Sequence, residues 1–244
     1  MNEGFVSEKV CMINQYAFNI SEISSTADVH DLFSIISDER RERISRFRFE
    51  KDKLHCLFAG VLLRYALWET YGLREFAVEK NVFGKPYLKD HANVYFNISH
   101  SGDWVICGLG DQNLGIDVER MEDIEISIAE DFFAADECIY LNSLPERDRF
   151  DAFYTIWTLK ESYTKNVGEG LNIPLDSFAI VLDSERIDIV VQGKRDDRFR
   201  FYTNNLDEKH KLSLCVSSDD SIMINSSVLT KQDIYEYEKN KKDY

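Results

Sequence analysis

The sequence predicts an α+β protein of two lobes, and three observations carry that reading. Apolar residues recur at helical spacing in two long stretches. Short strand-like runs follow each stretch. This order, helices and then strands, occurs once before about residue 112 and once after it. The lobes are accordingly assigned to residues 1–111 and 112–244, although no self-similarity of the residues themselves links them.

Residues 10–20 read as a strand and residues 28–36 as a helix. A second helix starts at Ser37 or Asp38, good N-cap types ahead of a charged turn. Residues 54–71 form a long helix whose Leu54, Leu57, Phe58, Val61, Leu62, Tyr65 and Leu67 give a wide apolar face. Strands are expected over 76–82, 94–98 and 104–109, and Asp111-Gln112-Asn113 turns the chain into another over 114–119. Helical spacing returns over 128–142 and 148–166. Gly168-Glu169-Gly170 stops the second of these, as glycine just past a helix end does. The rest reads as strands over 178–182, 187–191, 199–203, 211–217 and 221–224. A charged tail from residue 231 is expected as a short helix or a frayed end.

Bulk properties exclude more than they identify. A chain of 244 residues with 44% hydrophobic content can bury a substantial core, as one large or two small domains. Its net charge of −15 argues against non-specific nucleic-acid binding, which needs clustered positive charge to displace counterions. The first residues lack the basic start and apolar core of a signal peptide, and no apolar run approaches the ~20 residues that span a bilayer. The cysteines (Cys11, Cys56, Cys107, Cys138, Cys215) are odd in number and never at C-x-x-C spacing. They read as reduced thiols of a cytoplasmic protein, not as a disulfide framework or a zinc site.

Two short motifs carry chemistry. In Gly115-Ile116-Asp117-Val118-Glu119 the alternation of a strand puts Asp117 and Glu119 on one face. In the later helix Glu161 and Lys165 are neighbours one turn apart. If the strand meets that helix face, three carboxylates and an ammonium converge. Such carboxylates repel unless a cation sits among them, and hard oxygen donors with room for water and phosphate suit Mg²⁺. Taken singly, the strand reads as an amphipathic one with its acids in water. The helix pair alone reads as a surface ion pair worth only ~0.3–0.5 kcal/mol. One dense basic cluster, from Glu39 to Arg48, is either an anion site or a solvated helix face.

In this order the motifs resemble the signature of the 4'-phosphopantetheinyl transferases: Gly-Ile-Asp-Val-Glu, then Trp157-Thr158-Leu159-Lys160-Glu161-Ser162-Tyr163-Thr164-Lys165 and on through Gly168 and Gly170. Phe83-Gly84-Lys85-Pro86-Tyr87 and Phe96-Asn97-Ile98-Ser99-His100-Ser101 are similar to two further blocks of the surfactin-type (Sfp-type) branch. The resemblance implies two similar α/β lobes related by a pseudo-twofold, with the active site at their junction. It implies attack by a serine hydroxyl of an apo-acyl or peptidyl carrier protein on the β-phosphate of coenzyme A, releasing 3',5'-ADP. Mg²⁺ would be held by Asp117, Glu119 and Glu161. Glu161 would take the serine proton, directly or through water, and Lys165 would stabilise or protonate the leaving phosphate.

For coenzyme A the resemblance assigns Arg40 and Arg43 to the ribose phosphate, Lys85 to a phosphate or the adenine side, and Ser99 and His100 to coenzyme A, with His100 donating to a phosphate. Where family members often carry a basic residue and then a hydroxyl, this chain has His55-Cys56, a departure that weakens the carry-over of that contact. Lys160, about 100° round the helix from Glu161, either reaches a phosphate from the flank or is solvated. Residues 124–144 are expected to meet the carrier, with Phe132 and Phe133 as candidates of which at least one belongs to the core. The protein is expected to be a monomer that binds neither nucleic acid nor membrane. Two other classes stay open. A Mg²⁺-dependent phosphohydrolase would use water as nucleophile. A non-catalytic carrier-binding protein would lack at least one of Asp117, Glu119, Glu161 and Lys165, and all four are present.

Overall fold

A computed structural model describes residues 10–183 and 186–242. The chain begins with β1 (Val10–Asn19), a 3-10 segment (Thr26–Ser34), α1 (Asp38–Ser45), α2 (Glu50–Tyr71), β2 (Val78–Lys80), β3 (Pro86–Leu88), β4 (Tyr95–Ser101), β5 (Trp104–Gly110) and β6 (Leu114–Arg120). It continues through α3 (Ala129–Phe132), α4 (Ala135–Ser143), α5 (Glu146–Val167), β7 (Phe178–Leu182), β8 (Ile187–Val191) and β9 (Lys194–Arg195). It closes with β10 (Phe199–Asp207), β11 (His210–Ser217), β12 (Ser221–Leu229) and α6 (Lys231–Lys242).

Local chemistry explains several boundaries. Ser37 caps α1 by accepting the Arg40 N–H at 3.3 Å. The long helices α2 and α5 both end where a glycine, Gly72 or Gly168, takes the left-handed conformation, at φ of 66° and 78°. Three expectations are corrected. Residues 26–34 form a kinked 3-10 segment, with non-helical Val29, and not an α-helix. The single helix expected over 128–142 is broken by an extended Phe133–Ala134 step, which lays the Phe133 ring on Phe153 at 5.2 Å. β4 runs three residues further than expected, so Asn97 to Ser101 lie within a strand and not in the loop after one.

The two halves share an order of elements. Each has a strand, then helices, then a small antiparallel sheet and an antiparallel strand pair, and its first strand lies against its last; the second half adds a third helix and the short strand β9. β1 pairs with β5 and β6 with β11, giving the sheets β12-β1-β5-β4 and β10-β11-β6. α2 packs on the first sheet and α5 on the second. The last strand, β12, crosses back to pair parallel with β1, and Ile234 and Tyr237 of α6 join the core beneath α2. Residues 221–242 thus pack with the first lobe, on the other side of the division expected at residues 111 and 112.

An apolar cluster drawn from β1, β5, β6 and β11, including Ile13, Ile106, Ile116 and Leu214, joins the two sheets. On the outer face of β6, helix α5 crosses so closely that a Cβ on Gly115 would collide with the backbone of Ser162 and Asn166. Only glycine permits that approach. It fixes the helix beside Asp117, two residues along the same face.

Candidate active site

The expected meeting of strand and helix is present. Asp117 is 2% exposed, and Lys165 Nζ donates to its Oδ1 at 2.5 Å. The same ammonium donates to Ser99 Oγ at 3.0 Å, and Ser99 donates in turn to Asp117 Oδ1 at 3.0 Å. Asp117 Oδ2 is buried with no hydrogen-bond partner among the described residues. Glu119 receives a hydrogen bond from Ser101 Oγ at 2.8 Å. Glu161 lines a cleft of about 320 Å³ together with Phe83, Lys165, Gly168 and Leu175.

Electrostatics tie the three carboxylates together. Burial, then the charge of Asp117, pushes Glu119 up to about 7. Burial and Asp117 likewise raise Glu161, while Lys165 opposes the rise. Burial raises Asp117 itself against the pull of Lys165 and Ser99. Even so, no three His, Cys, Asp or Glu side chains among the described residues are gathered closely enough to hold a metal ion as they stand. The expected cluster exists as an electrostatic group and not as a closed ligand set. Lys165 covers one oxygen of Asp117, and Ser101 holds Glu119. A cation still fits the donor chemistry, because the oxygens are hard, mutually repelling and include an orphaned one.

Three expected ligand contacts are redirected. Lys160 is fully buried, donating to Glu137 Oε1 and to the Phe178 carbonyl, both at 2.7 Å. Glu137 also accepts the N–H groups of Ala134 and Ile180, so the ion pair pins α4 and β7 to α5 and reaches no phosphate. The Lys85 ammonium donates to Asn113 Oδ1, Leu114 O and Asn166 O, which uses all three of its protons inside the protein. Burial brings it down to about 8. Lys85 therefore brackets the hairpin turn to the start of β6 and the end of α5. Ser99 is buried, its hydroxyl taken by Asp117, Lys165 and the Val118 N–H.

The basic cluster behaves differently. Arg40 and Arg43 line a second cleft, of about 680 Å³, with Ser37, Arg64 and Lys80. Arg40 donates one bond to the Cys56 carbonyl at 2.9 Å. This cleft and the one at Glu161 share Gly84 and Pro86, so the hairpin turn borders both. His100 is exposed at one edge and stacked on His55, with ring centroids 4.5 Å apart. Desolvation by its surroundings, then the charges of His55 and Lys165, pulls it down to about 4.

Sequence reasoning missed Ser101, Asn97, Glu137, Arg64 and Lys80. Polar residues alternating at 97, 99 and 101 were a readable signal for the first two. Glu137 meets Lys160 only through tertiary folding and left none. Phe132 and Phe133 divide as expected: Phe133 is core at 3% exposure, and Phe132 is exposed. Trp157 packs against the Phe133–Phe153 cluster.

The family model described as 4'-phosphopantetheinyl transferase superfamily matches residues 113–215. The model for the 4'-phosphopantetheinyl transferase N-terminal part matches residues 22–109. A 4'-phosphopantetheinyl transferase of Bacillus subtilis is 34% identical over 199 residues, covering 80% of this chain and 88% of that protein. The 4'-phosphopantetheinyl transferase Sfp of Bacillus subtilis (strain 168) is 34% identical, covering 77% and 84%. The 4'-phosphopantetheinyl transferase gsp of Aneurinibacillus migulanus is 35% identical, covering 75% and 77%. The chain belongs to the 4'-phosphopantetheinyl transferase superfamily.

Proposed function

We propose that this enzyme transfers the 4'-phosphopantetheine group of coenzyme A to a serine hydroxyl of an apo-acyl or peptidyl carrier protein, with Mg²⁺ required and 3',5'-ADP released. The observation that carries the reading is the seating of Lys165 on Asp117 beside Glu161, at a cleft whose hairpin rim also borders the arginine-lined cleft. Two similar lobes related by a pseudo-twofold, with the site at their junction, accord with the shared order of elements.

Asp117, Glu119 and Glu161 would hold Mg²⁺, which when bound neutralises charge on the pyrophosphate. Arg40 and Arg43 would hold the ribose phosphate, for which the planar guanidinium fork is suited, and His100 would lie along the phosphates. Glu161, its carboxyl raised by burial, accepts the serine proton directly or through one water. As the serine oxygen bonds to the β-phosphorus, the bond from that phosphorus to the oxygen of 3',5'-ADP breaks. Lys165 offsets the charge that develops on that oxygen. Positioning and charge neutralisation account for most of the rate.

Carrier and enzyme are both acidic, so recognition would be local and apolar. Ile128, Phe132, Ile139 and Tyr140, all exposed on the segment through α3 and α4, would provide it. Five cysteines, four of them buried and none in a disulfide among the described residues, fit a reducing cytoplasm. No helix among the described residues is long and apolar enough to cross a membrane. We place the enzyme there as a monomer.

The test is to follow coenzyme A and 3',5'-ADP by chromatography with and without apo-carrier. Release of 3',5'-ADP only when carrier, Mg²⁺ and enzyme are all present supports transfer. Release without carrier would make the protein a phosphohydrolase. Carrier binding with no release would make it a non-catalytic partner.

A further inference from the structure

β4 and β6 are edge strands of two different sheets, and no backbone ladder joins them. The edge of β6 facing away from β11 presents the N–H groups of Ile116, Val118 and Arg120, which burial would otherwise leave unpaired. Each is met by a side chain of β4. Asn97 Oδ1 accepts from Ile116 at 2.9 Å, Ser99 Oγ from Val118 at 3.2 Å, and Ser101 Oγ from Arg120 at 3.0 Å. The step is two residues on both strands, so three side chains fix the register between the lobes.

The serines also act forward. A hydroxyl has one proton to give, and each serine, having accepted a backbone N–H, gives it to a carboxylate: Ser99 to Asp117 and Ser101 to Glu119. The hydroxyls that hold the two sheets together therefore also aim the two strand carboxylates.

We propose that Ser101 is a positioning residue: through its paired bonds to the Arg120 N–H and to Glu119 it sets where the Glu119 carboxylate points, while Asn97 holds the same register two steps away. The inference rests on the functional reading above, in which Glu119 faces the cation. Partners that orient a metal-ligating carboxylate are worth roughly 10–100-fold in metal affinity or activity.

Ser101→Ala removes both bonds. Ser101→Cys keeps the size with a weak donor, and Ser101→Thr keeps the hydroxyl and suits a strand. Three readouts are taken: amide exchange at Arg120, the Mg²⁺ concentration giving half-maximal thermal stabilisation of the protein, and kcat against the coenzyme A KM. Ser101→Ala and Ser101→Cys should expose the Arg120 amide to faster exchange and raise the Mg²⁺ midpoint at least ~10-fold. They should lower kcat with little change in KM, and Ser101→Thr should restore all three. Faster exchange with an unchanged Mg²⁺ midpoint and kcat would overturn the positioning role while leaving the transferase reading intact. If the wild type gives no Mg²⁺ response, the functional reading falls instead. The seam is then judged on exchange alone, and wild-type protection in both Ser101→Ala and Ser101→Cys would overturn it.

Discussion

Lys165 Nζ and Asp117 Oδ1 stand 2.5 Å apart, with Ser99 Oγ in contact with both. One cation thus compensates a carboxylate that is almost wholly buried, and the partner oxygen of that carboxylate is left without a donor among the described residues. The same ammonium serves the fold and, in the proposed reaction, offsets the charge that develops on the leaving oxygen.

The two functional residues of α5 should separate in experiment. Glu161→Gln keeps the shape and removes the base, so kcat should fall at least ~10²-fold. Lys165→Ala should lower kcat as well, yet leave Mg²⁺ affinity unchanged or improved, because a neighbouring cation is gone. Calorimetric Mg²⁺ titration in the presence of coenzyme A, set beside single-turnover rates, distinguishes them. Weakened Mg²⁺ binding in Lys165→Ala with normal binding in Glu161→Gln would reverse the roles.

Glu119 predicts a pH dependence of the metal-free fold. Its folded pKa, about 7, lies above the ordinary 4.5, so the folded state binds the extra proton between those values. The stability it contributes is full below about 4.5 and is lost as pH rises through about 7. Thermal melts of wild type and Glu119→Gln without divalent cation should diverge between pH 5 and 8, wild type losing ground, and added Mg²⁺ should close the gap. Parallel pH profiles would show that Glu119 is not held in a desolvated, like-charged setting.

The ion pair of Lys160 and Glu137, at 0% and 1% side-chain exposure, is structural. Lys160→Ala strands a buried carboxylate and should cost about 3–5 kcal/mol of stability in denaturant melts. At a temperature where the variant is folded, its coenzyme A KM should stay near that of wild type. A selective rise in KM with undiminished stability would restore Lys160 to the nucleotide.

At the arginine-lined cleft, Arg40→Ala should raise the coenzyme A KM more than it lowers kcat, since ground-state binding is lost. Dephospho-coenzyme A supplies the control. If Arg40→Ala weakens both compounds equally, Arg40 does not read the ribose phosphate.

Much of this was legible in the sequence because the signals were local. Asp117 and Glu119 share a face through strand alternation, and Glu161 and Lys165 through helical spacing; neither needs knowledge of the partner element. The positions of β1, α2, α5, β7 and β8 followed from periodicity in the same way. What the sequence did not reveal depended on distant groups. Lys160 read as a flanking cation because Glu137, 23 residues earlier, gives no sign in sequence that it will be buried beside it. Lys85 read as a ligand because its acceptors, Asn113 and Asn166, come from two other elements. Ser99 looked like a loop hydroxyl until β4 was found to extend through it to Ser101. The return of β12 to β1 spans 211 residues, from Val10 to Ser221, and no local pattern encodes such a pairing.

The central claim is that the carboxylates of β6 and α5 transfer a phosphopantetheinyl group to a carrier. It is tested most directly by weighing an apo-carrier after incubation with coenzyme A and Mg²⁺, using wild type, Asp117→Ala, and wild type with excess chelator. The account predicts a mass gain of one phosphopantetheinyl group with wild type alone, and no gain in the other two, with Asp117→Ala still folded. An undiminished mass gain from Asp117→Ala, or from wild type under chelation, would contradict it.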